Sequence, residues 1–366
     1  MKYIKLILII IILIPLTGCY NYRELNDLGI TTAIGISKKD DEFNLVIEVL
    51  KTDEKSDESK MPKYVLYESK GKTIQEAVRK AILKSPKRLY VNHLYMILID
   101  EELAKEGIND IIDLFFRDSE SRKQFYVLIS KDDVYEVLNT KPLLEDINAK
   151  SIADRLKVND DFLSNTVPTT FSKLLTKYVN PRIDMVIPSI KLIGNDESKN
   201  IVIGDTAIFK DDKLIGYINN EESLYYSLID NNVNDTVLTT MINGEYVTIE
   251  INNSDTKIDI KDNNLKIKIK LSGNIAEINS NTNLTNPNTV NEIEKYFEED
   301  LNKKILKLIN KEKEYDTDIF GFTDLIYKKD NKNFNNTKLK DLTFDIDTKV
   351  TLKYKGNGAK EIHEEN

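Results

Sequence analysis

The sequence predicts an α+β protein of several domains, three by its breaks: an N-terminal mixed α/β region followed by a C-terminal antiparallel sheet covered by a long helix. Three observations predict it. Between residues 30 and 130, apolar runs of strand length alternate with stretches whose apolar residues recur every three or four positions, the mark of an α/β or α+β unit. Nearer the C-terminus, Leu265, Ile267, Ile269 and Leu271 alternate with Lys266, Lys268 and Lys270, a strand with one wet face. After Pro287, residues Val290, Ile293, Phe297, Leu301, Ile305 and Leu308 keep helical spacing. At ~1.5 Å per residue, a helix of about 25 residues could cross a whole sheet.

The N-terminus is of another kind. Lys2 and Lys5 precede an unbroken apolar run from Leu6 to Ile14, followed by Pro15 and by Leu16-Thr17-Gly18-Cys19. A basic head, an apolar middle and a small-residue cleavage site make a secretory signal. A run of about a dozen residues is too short to span a bilayer, which needs roughly 20. Leu-small-Gly-Cys is the pattern of a bacterial lipoprotein signal, so residues 1–18 are expected to be removed and Cys19 to become the first mature residue. It would carry a diacylglycerol on its thiol, with its new amino group open to a palmitate-like chain. Two acyl chains hold a protein on a bilayer where one does so only marginally.

Removing 18 residues from 366 leaves 348; two of the 52 basic side chains go with them, leaving 50 against 61 acids and a net charge of −11. A body this acidic is a poor nucleic-acid ligand and does not adhere to an anionic surface by overall charge. Cys19 is the sole cysteine, which excludes an internal disulfide and a thiolate metal cluster.

Along the chain, Ile30 to Ile36 and Phe43 to Leu50 read as a hairpin, with Tyr64 to Glu68 as a third strand. Thr73 and Glu76 have capping-box spacing ahead of a helix that ends at Pro86. Leu94 to Ile99 is a strand, then come helices from Glu101 and from Ile108 separated by Gly107, and Gln124 to Ser130 is extended again. This first unit covers residues 20–132. Residues 133–196 form a mainly helical middle unit (Val134 to Leu138, Leu143 to Leu156, Phe171 to Val179) ending in the extended segment Arg182 to Ile193. The polar stretch Gly194 to Asn200 has loop composition and marks the main boundary. Residues 197–358 begin with the hairpin Ile201 to Phe209 and Leu214 to Ile218 and a short helix from Glu221 to Ile229. The long helix and the strands it covers follow, the last with Leu342 to Tyr354 apolar on even positions. Residues 359–366 are a tail.

Little in this chain resembles a reacting centre. There are two histidines, His93 before a strand and His363 in the tail, too few for a triad or a histidine metal site. Gly71 stands alone, and Gly29 with Gly35 lacks dinucleotide spacing. Carboxylate pairs such as Glu298-Glu299-Asp300 are expected as solvated faces among 61 acids. Arg117, Asp118, Glu120 and Arg122 make a mixed-charge cluster that is either a solvated loop or a partner interface. In Asp318-Ile319-Phe320-Gly321-Phe322 two aromatics flank a glycine, which fits a turn with its rings in the core. No enzyme activity and no cofactor beyond the covalent lipid are expected.

Read in order, several stretches together resemble the C subunit, the Ger(x)C lipoprotein, of the GerA-type germinant receptors of spores. They are Gly18-Cys19 with Arg23-Glu24-Leu25-Asn26-Asp27-Leu28, Ser85-Pro86-Lys87-Arg88-Leu89 to His93, and Glu102 to Ile108. Phe116 to Arg122, Ala207 to Gly216 and Asp318 to Phe322 complete the set. Tyr20 and Asn92 stand where this family usually has Trp and Gly. The resemblance implies a non-enzymatic three-domain body on the outer face of the spore inner membrane, lipid-anchored to the cell membrane. It also implies integral-membrane A and B subunits as partners; Arg23, Glu24, Arg117, Glu120 and Arg122 are the residues expected at such an interface, and the acidic balance speaks against nucleic acid. A solute-binding lipoprotein feeding a transporter is the alternative, and it would require two similar lobes around a cleft.

Overall fold

The computed structural model describes residues 27–51, 63–118, 122–195, 198–261, 263–278, 286–329, 331 and 337–353, with residue 3. The apolar run at 6–14, the anchor segment and the tail lie outside the described residues.

The first body is a nine-stranded mixed sheet. The expected hairpin is β1 (Leu28–Lys39) and β2 (Glu42–Leu50), closed by Asp40 and Asp41 at φ of 53° and 58°, a left-handed turn that suits strand twist. The remaining strands are β3 (Tyr64–Gly71), β4 (Arg88–Tyr90), β5 (Met96–Asp100), β6 (Tyr126–Ser130), β7 (Val186–Ile193), β8 (Asn200–Lys210) and β9 (Lys213–Ile218). The order is β3-β2-β1-β5-β6-β7-β8-β9, with β4 beside the start of β1. The pairs β1–β5, β5–β6 and β6–β7 are parallel, and antiparallel pairs finish both sides. The polar stretch after Ile193 joins β7 to β8, which pair antiparallel, so the sheet runs on across it.

Parallel strands are buried on both faces, which explains why β5 reads as a continuous apolar run. Ile97 and Ile99 enter one core while Met96 and Leu98 enter the other. Helices α1 (Ile74–Ala81), α2 (Glu101–Glu106) and α3 (Asn109–Arg117) cover the first face, α4 (Val134–Asn139) and α5 (Asn148–Phe162) the second, and α6 (Phe171–Tyr178) returns to the first. The expected capping box at α1 is half made. Thr73 accepts from Glu76 N, but the Glu76 carboxylate accepts from Lys72 N, one residue upstream of the cap. The helix expected from Leu143 to Leu156 runs instead from Asn148 to Phe162. Its first turn takes its cap from another strand: Ala149 N donates to the Glu48 carboxylate of β2, and Pro142 to Ile147 stay outside it.

A second, four-stranded sheet follows in the order β10 (Thr236–Ile242), β11 (Glu245–Lys261), β12 (Asn264–Glu277), β13 (Thr343–Lys353). The fold class is as expected, with one correction: β13 lies parallel to β12, not antiparallel. The long helix α8 (Pro287–Tyr315) is the crossover between them, and a chain that must cross over a sheet returns in the same direction. Its Ile293, Phe297, Leu301, Ile305 and Leu308 are buried on the sheet. On its flank Glu294, Glu298 and Asn302 accept from the backbone N–H groups of Leu352, Val350 and Thr348. Four residues of helix (~6 Å) match two of strand (~6.6 Å), so a ladder with a period of four caps every second N–H of the edge strand β13.

The two sheets are joined through α7 (Asn220–Ile229), every residue of which from Ser223 to Ile229 is buried. Leu224 and Leu228 share a core with Val186, Ile208 and Ile218 of the first sheet and with Ile249 and Ile267 of the second. The two serines in that stretch donate their hydroxyls to Asn219 O and Ser223 O one turn back, so the helix can be buried all round. Beside it, Lys177 of α6 donates to the Tyr226 hydroxyl at 2.7 Å and to Ile319 O at 3.1 Å, and burial pulls its ammonium down to about 8. The Asp318 to Phe322 segment completes the joint. Asp318 accepts from the N–H groups of Phe322 and Thr323 at the start of α9 (Phe322–Lys329); its own N–H donates to the Asp184 carboxylate, and its carbonyl accepts from Asp184 N. Phe320 stacks between Tyr226 and Phe322. The rings are core and the glycine makes the turn.

Gly321 has φ of 72°, and an added Cβ would come within 2.9 Å of Ile183 Cγ1. Gly321→Ala is therefore expected to cost about 1–3 kcal/mol in urea unfolding. Burial also holds two carboxyls up at about 7 from 4.5, Glu48 and Glu312, each taking a 2.6 Å bond from a threonine on one oxygen and none on the other. A raised carboxyl leaves stability whole below the unfolded value and removes it as pH climbs through the folded one. Wild type is thus expected to lose on the order of 2–3 kcal/mol relative to Glu48→Gln between about pH 4.5 and 7, read by urea unfolding across that window.

Candidate docking surface

The parallel strands all start at one end of the first sheet, and that lower end gathers segments far apart in sequence. Leu28 of β1 pairs with Arg88 of β4, so the Ser85 to Lys87 segment lies beside the point where β1 begins. Lys51 N donates to Lys63 O just below the β2–β3 pair, and Lys63 N donates to Asp146 O, which brings in the loop between α4 and α5. The segment after α3 leads into β6, whose Tyr126 is level with Met96 of β5 and Ala33 of β1.

Between α1 and α3 a groove of about 720 Å³ runs along the face, from Phe43 and Lys72 at the upper end to Arg88 at this one. Its floor is the sheet at Thr31, Ile34, Phe43 and Ile47, and its walls present Ile74, Val78 and Ile82 on one side and Leu114 and Phe115 on the other. The Thr31 hydroxyl is buried there with no hydrogen-bond partner among the described residues. Charges ring the opening: Lys72, Arg79 and Arg88 toward α1 and Asp110, Asp113 and Asp118 toward α3. An apolar floor under a mixed-charge rim suits a chain with apolar side chains and polar flanks.

Of the expected interface residues, Arg117 closes the end of α3 on this rim, gripping Asp113 through two 2.8 Å bonds. Arg122 is exposed just beyond, and Phe116 beside Arg117 is 62% exposed, too much for a core residue. Cys19, Arg23, Glu24 and Glu120 lie outside the described residues. Lys123 was missed from sequence. It donates to the Phe115 carbonyl and, at 2.5 Å, to that of Asp118, closing the C-terminus of α3, and burial lowers its pKa. Only its place after an apolar helix end signals this. His93 is exposed, its ring 6.1 Å from that of Tyr90. Among the described residues no three His, Cys, Asp or Glu side chains converge as metal ligands, and no helix is long and apolar enough to cross a membrane.

Comparison with known proteins bears on the same chain. A family model described as the spore germination protein N-terminal domain matches residues 21–192, and one described as spore germination B3/GerAC like, C-terminal, matches residues 204–356. Spore germination protein KC of Bacillus subtilis (strain 168) is 25% identical over 358 residues, covering 90% of this chain and 88% of that protein. Spore germination protein GerQC of Bacillus cereus is 23% identical over 71% of this chain and 73% of its own length. The crystal structure of the GerBC protein superposes with a TM-score of 0.58 at 20% identity, over 87% of this chain and 96% of that one, which shows a shared fold.

The two cations at the end of α3 differ in what they hold. The Arg117–Asp113 pair is exposed on both sides, so Arg117→Ala is expected to change stability by under about 1 kcal/mol. Lys123→Ala leaves two carbonyls at a helix end unpaired and is expected to cost roughly 1–3 kcal/mol. Urea unfolding of both variants checks the order.

Proposed function

The chain belongs to the GerAC family of spore germination proteins, and from that premise we propose that it is the lipid-anchored C subunit of a germinant receptor. Its role in spore germination comes with the family. The rest is our reading: Cys19 carries a diacylglycerol, the mature body sits on the outer face of the spore inner membrane, and it works by contact with integral-membrane A and B subunits. No reaction step and no cofactor beyond the lipid enter this reading. The observation that carries it is the short apolar run ending in Leu-Thr-Gly-Cys, with the family match starting at residue 21, two residues after that cysteine. Without a membrane span among the described helices, lipid supplies the attachment. The solute-binding alternative needs two similar lobes, and the nine-stranded and four-stranded sheets differ in strand order and direction.

The groove between α1 and α3 is the surface we assign to a membrane partner. Ile82 lines it and is 39% exposed, so Ile82→Glu is expected to keep the fold while lowering recovery of the integral-membrane subunits in a pull-down from spore membranes by about tenfold or more, as loss of an interface anchor does. Cys19→Ala is expected to move the folded protein from membrane to soluble fractions and to weaken nutrient-triggered germination. Normal germination from the soluble variant would overturn the proposal.

A further inference from the structure

From Ala77 to Ile99 the chain has no Asp or Glu, although it carries 61 acids in 366 residues, and this stretch holds Arg79, Lys80, Lys84, Lys87 and Arg88. The structure sets that stretch at the lower end of the first sheet, where β4 pairs with the start of β1. Arg79 and Lys84 are exposed and have no carboxylate partner among the described residues. Within the same run Leu83 is 87% exposed. On the opposite face of the sheet, in the loop before α5, Leu143 and Leu144 are 73% and 98% exposed. The two acids that follow them are neutralised, Glu145 by Lys150 at 3.0 Å and Asp146 by Lys63 at 2.9 Å. Leucines this exposed, on both sides of the same sheet end, one in a cationic run and two beside charges already paired, have no folding role there.

We propose that this lower end is a membrane-contacting face: Leu83, Leu143 and Leu144 insert between acidic phospholipid headgroups while Arg79 and Lys84 bind the phosphates. The occupant is a lipid surface because of where the chain comes from. Nine residue steps run from Cys19 to Leu28, so the start of β1 lies within about 32 Å of an acylated Cys19. The acyl chains and the basic patch then act together, as a lipid plus a polybasic segment do, against the repulsion of an acidic body. The face fixes the orientation of the receptor subunit and sets the α1–α3 groove close to the bilayer. This inference rests on the tether reading for the position of Cys19.

The test uses the full lipidated chain in vesicles of equal parts phosphatidylglycerol and phosphatidylcholine. An acylated Cys19 offers no thiol, so Leu83→Cys, Leu144→Cys and Met241→Cys each take one fluorescent dye; Met241 is exposed on β10 of the second sheet. A nitroxide lipid quencher is expected to quench dyes at 83 and 144 several times more strongly than at 241. Equal quenching at all three sites overturns the proposal. Protection of 83 and 144 only when an integral partner copurifies makes the patch a protein interface and overturns it too. In a second arm, the full mature chain carrying Cys19→Ala is sedimented with the same vesicles. Arg79→Gln with Lys84→Gln is expected to weaken binding about 25-fold, fivefold for each charge; unchanged binding counts against the proposal. Dye uptake by Cys19 in the unsubstituted chain would instead sink the tether reading, and vesicle binding would still judge the patch.

Discussion

Parallel pairing of β1, β5, β6 and β7 is the constraint from which the rest of the structure follows. Because these strands share a direction, each is entered from the same end of the sheet, and the segments that lead into them meet there whatever their distance in sequence. The same pairing demands cover on both faces, which the sequence supplies as α1, α2, α3 and α6 on one side and α4 and α5 on the other. Antiparallel hairpins finish the sheet at both edges, and the last of them, β8–β9, feeds α7. The near end of the groove, Arg117 and the lysine-rich segment are neighbours because parallel strands begin together.

The second sheet depends on the first through one buried helix. Taking α7 out of its position would strip Leu224 and Leu228 from two sheets at once, at ~1.5–3 kcal/mol for each buried side chain. The polar contacts around it are also shared: Lys177 from α6, Tyr226 from α7 and the Asp318 turn ahead of α9 satisfy one another. At the far edge, the Glu294, Glu298 and Asn302 ladder gives β13 partners where a second chain could otherwise pair. Carboxylates that read as a solvated face are in this case part of the sheet's own hydrogen bonding.

Much of this was legible in the residues, and the misses have physical causes. The β1–β2 hairpin, α1 to α3, β8–β9 and α8 have strong periodicity or turn chemistry and lie where that predicts. The start of α5 was misplaced because its cap is a glutamate about a hundred residues away, which no local pattern reveals. The direction of β13 was misread because alternation gives the faces of a strand and not its partner's direction; only the crossover helix decides that. The three-residue strand β4 is too short to carry a period. Of the residues expected at an interface, Arg117 and Arg122 stand out by local charge, whereas Lys123 and the groove floor are brought together only by tertiary packing.

The account reduces to an acidic, folded body held at a bilayer by lipid on its first residue and turned toward neighbouring proteins by the end of one sheet. Mass spectrometry of the intact chain extracted from spore membranes measures that claim most directly. The account predicts a chain that begins at Cys19 and carries the mass of a diacylglycerol. A freely soluble chain with an unmodified Cys19, or one that keeps residues 1–18, would contradict it.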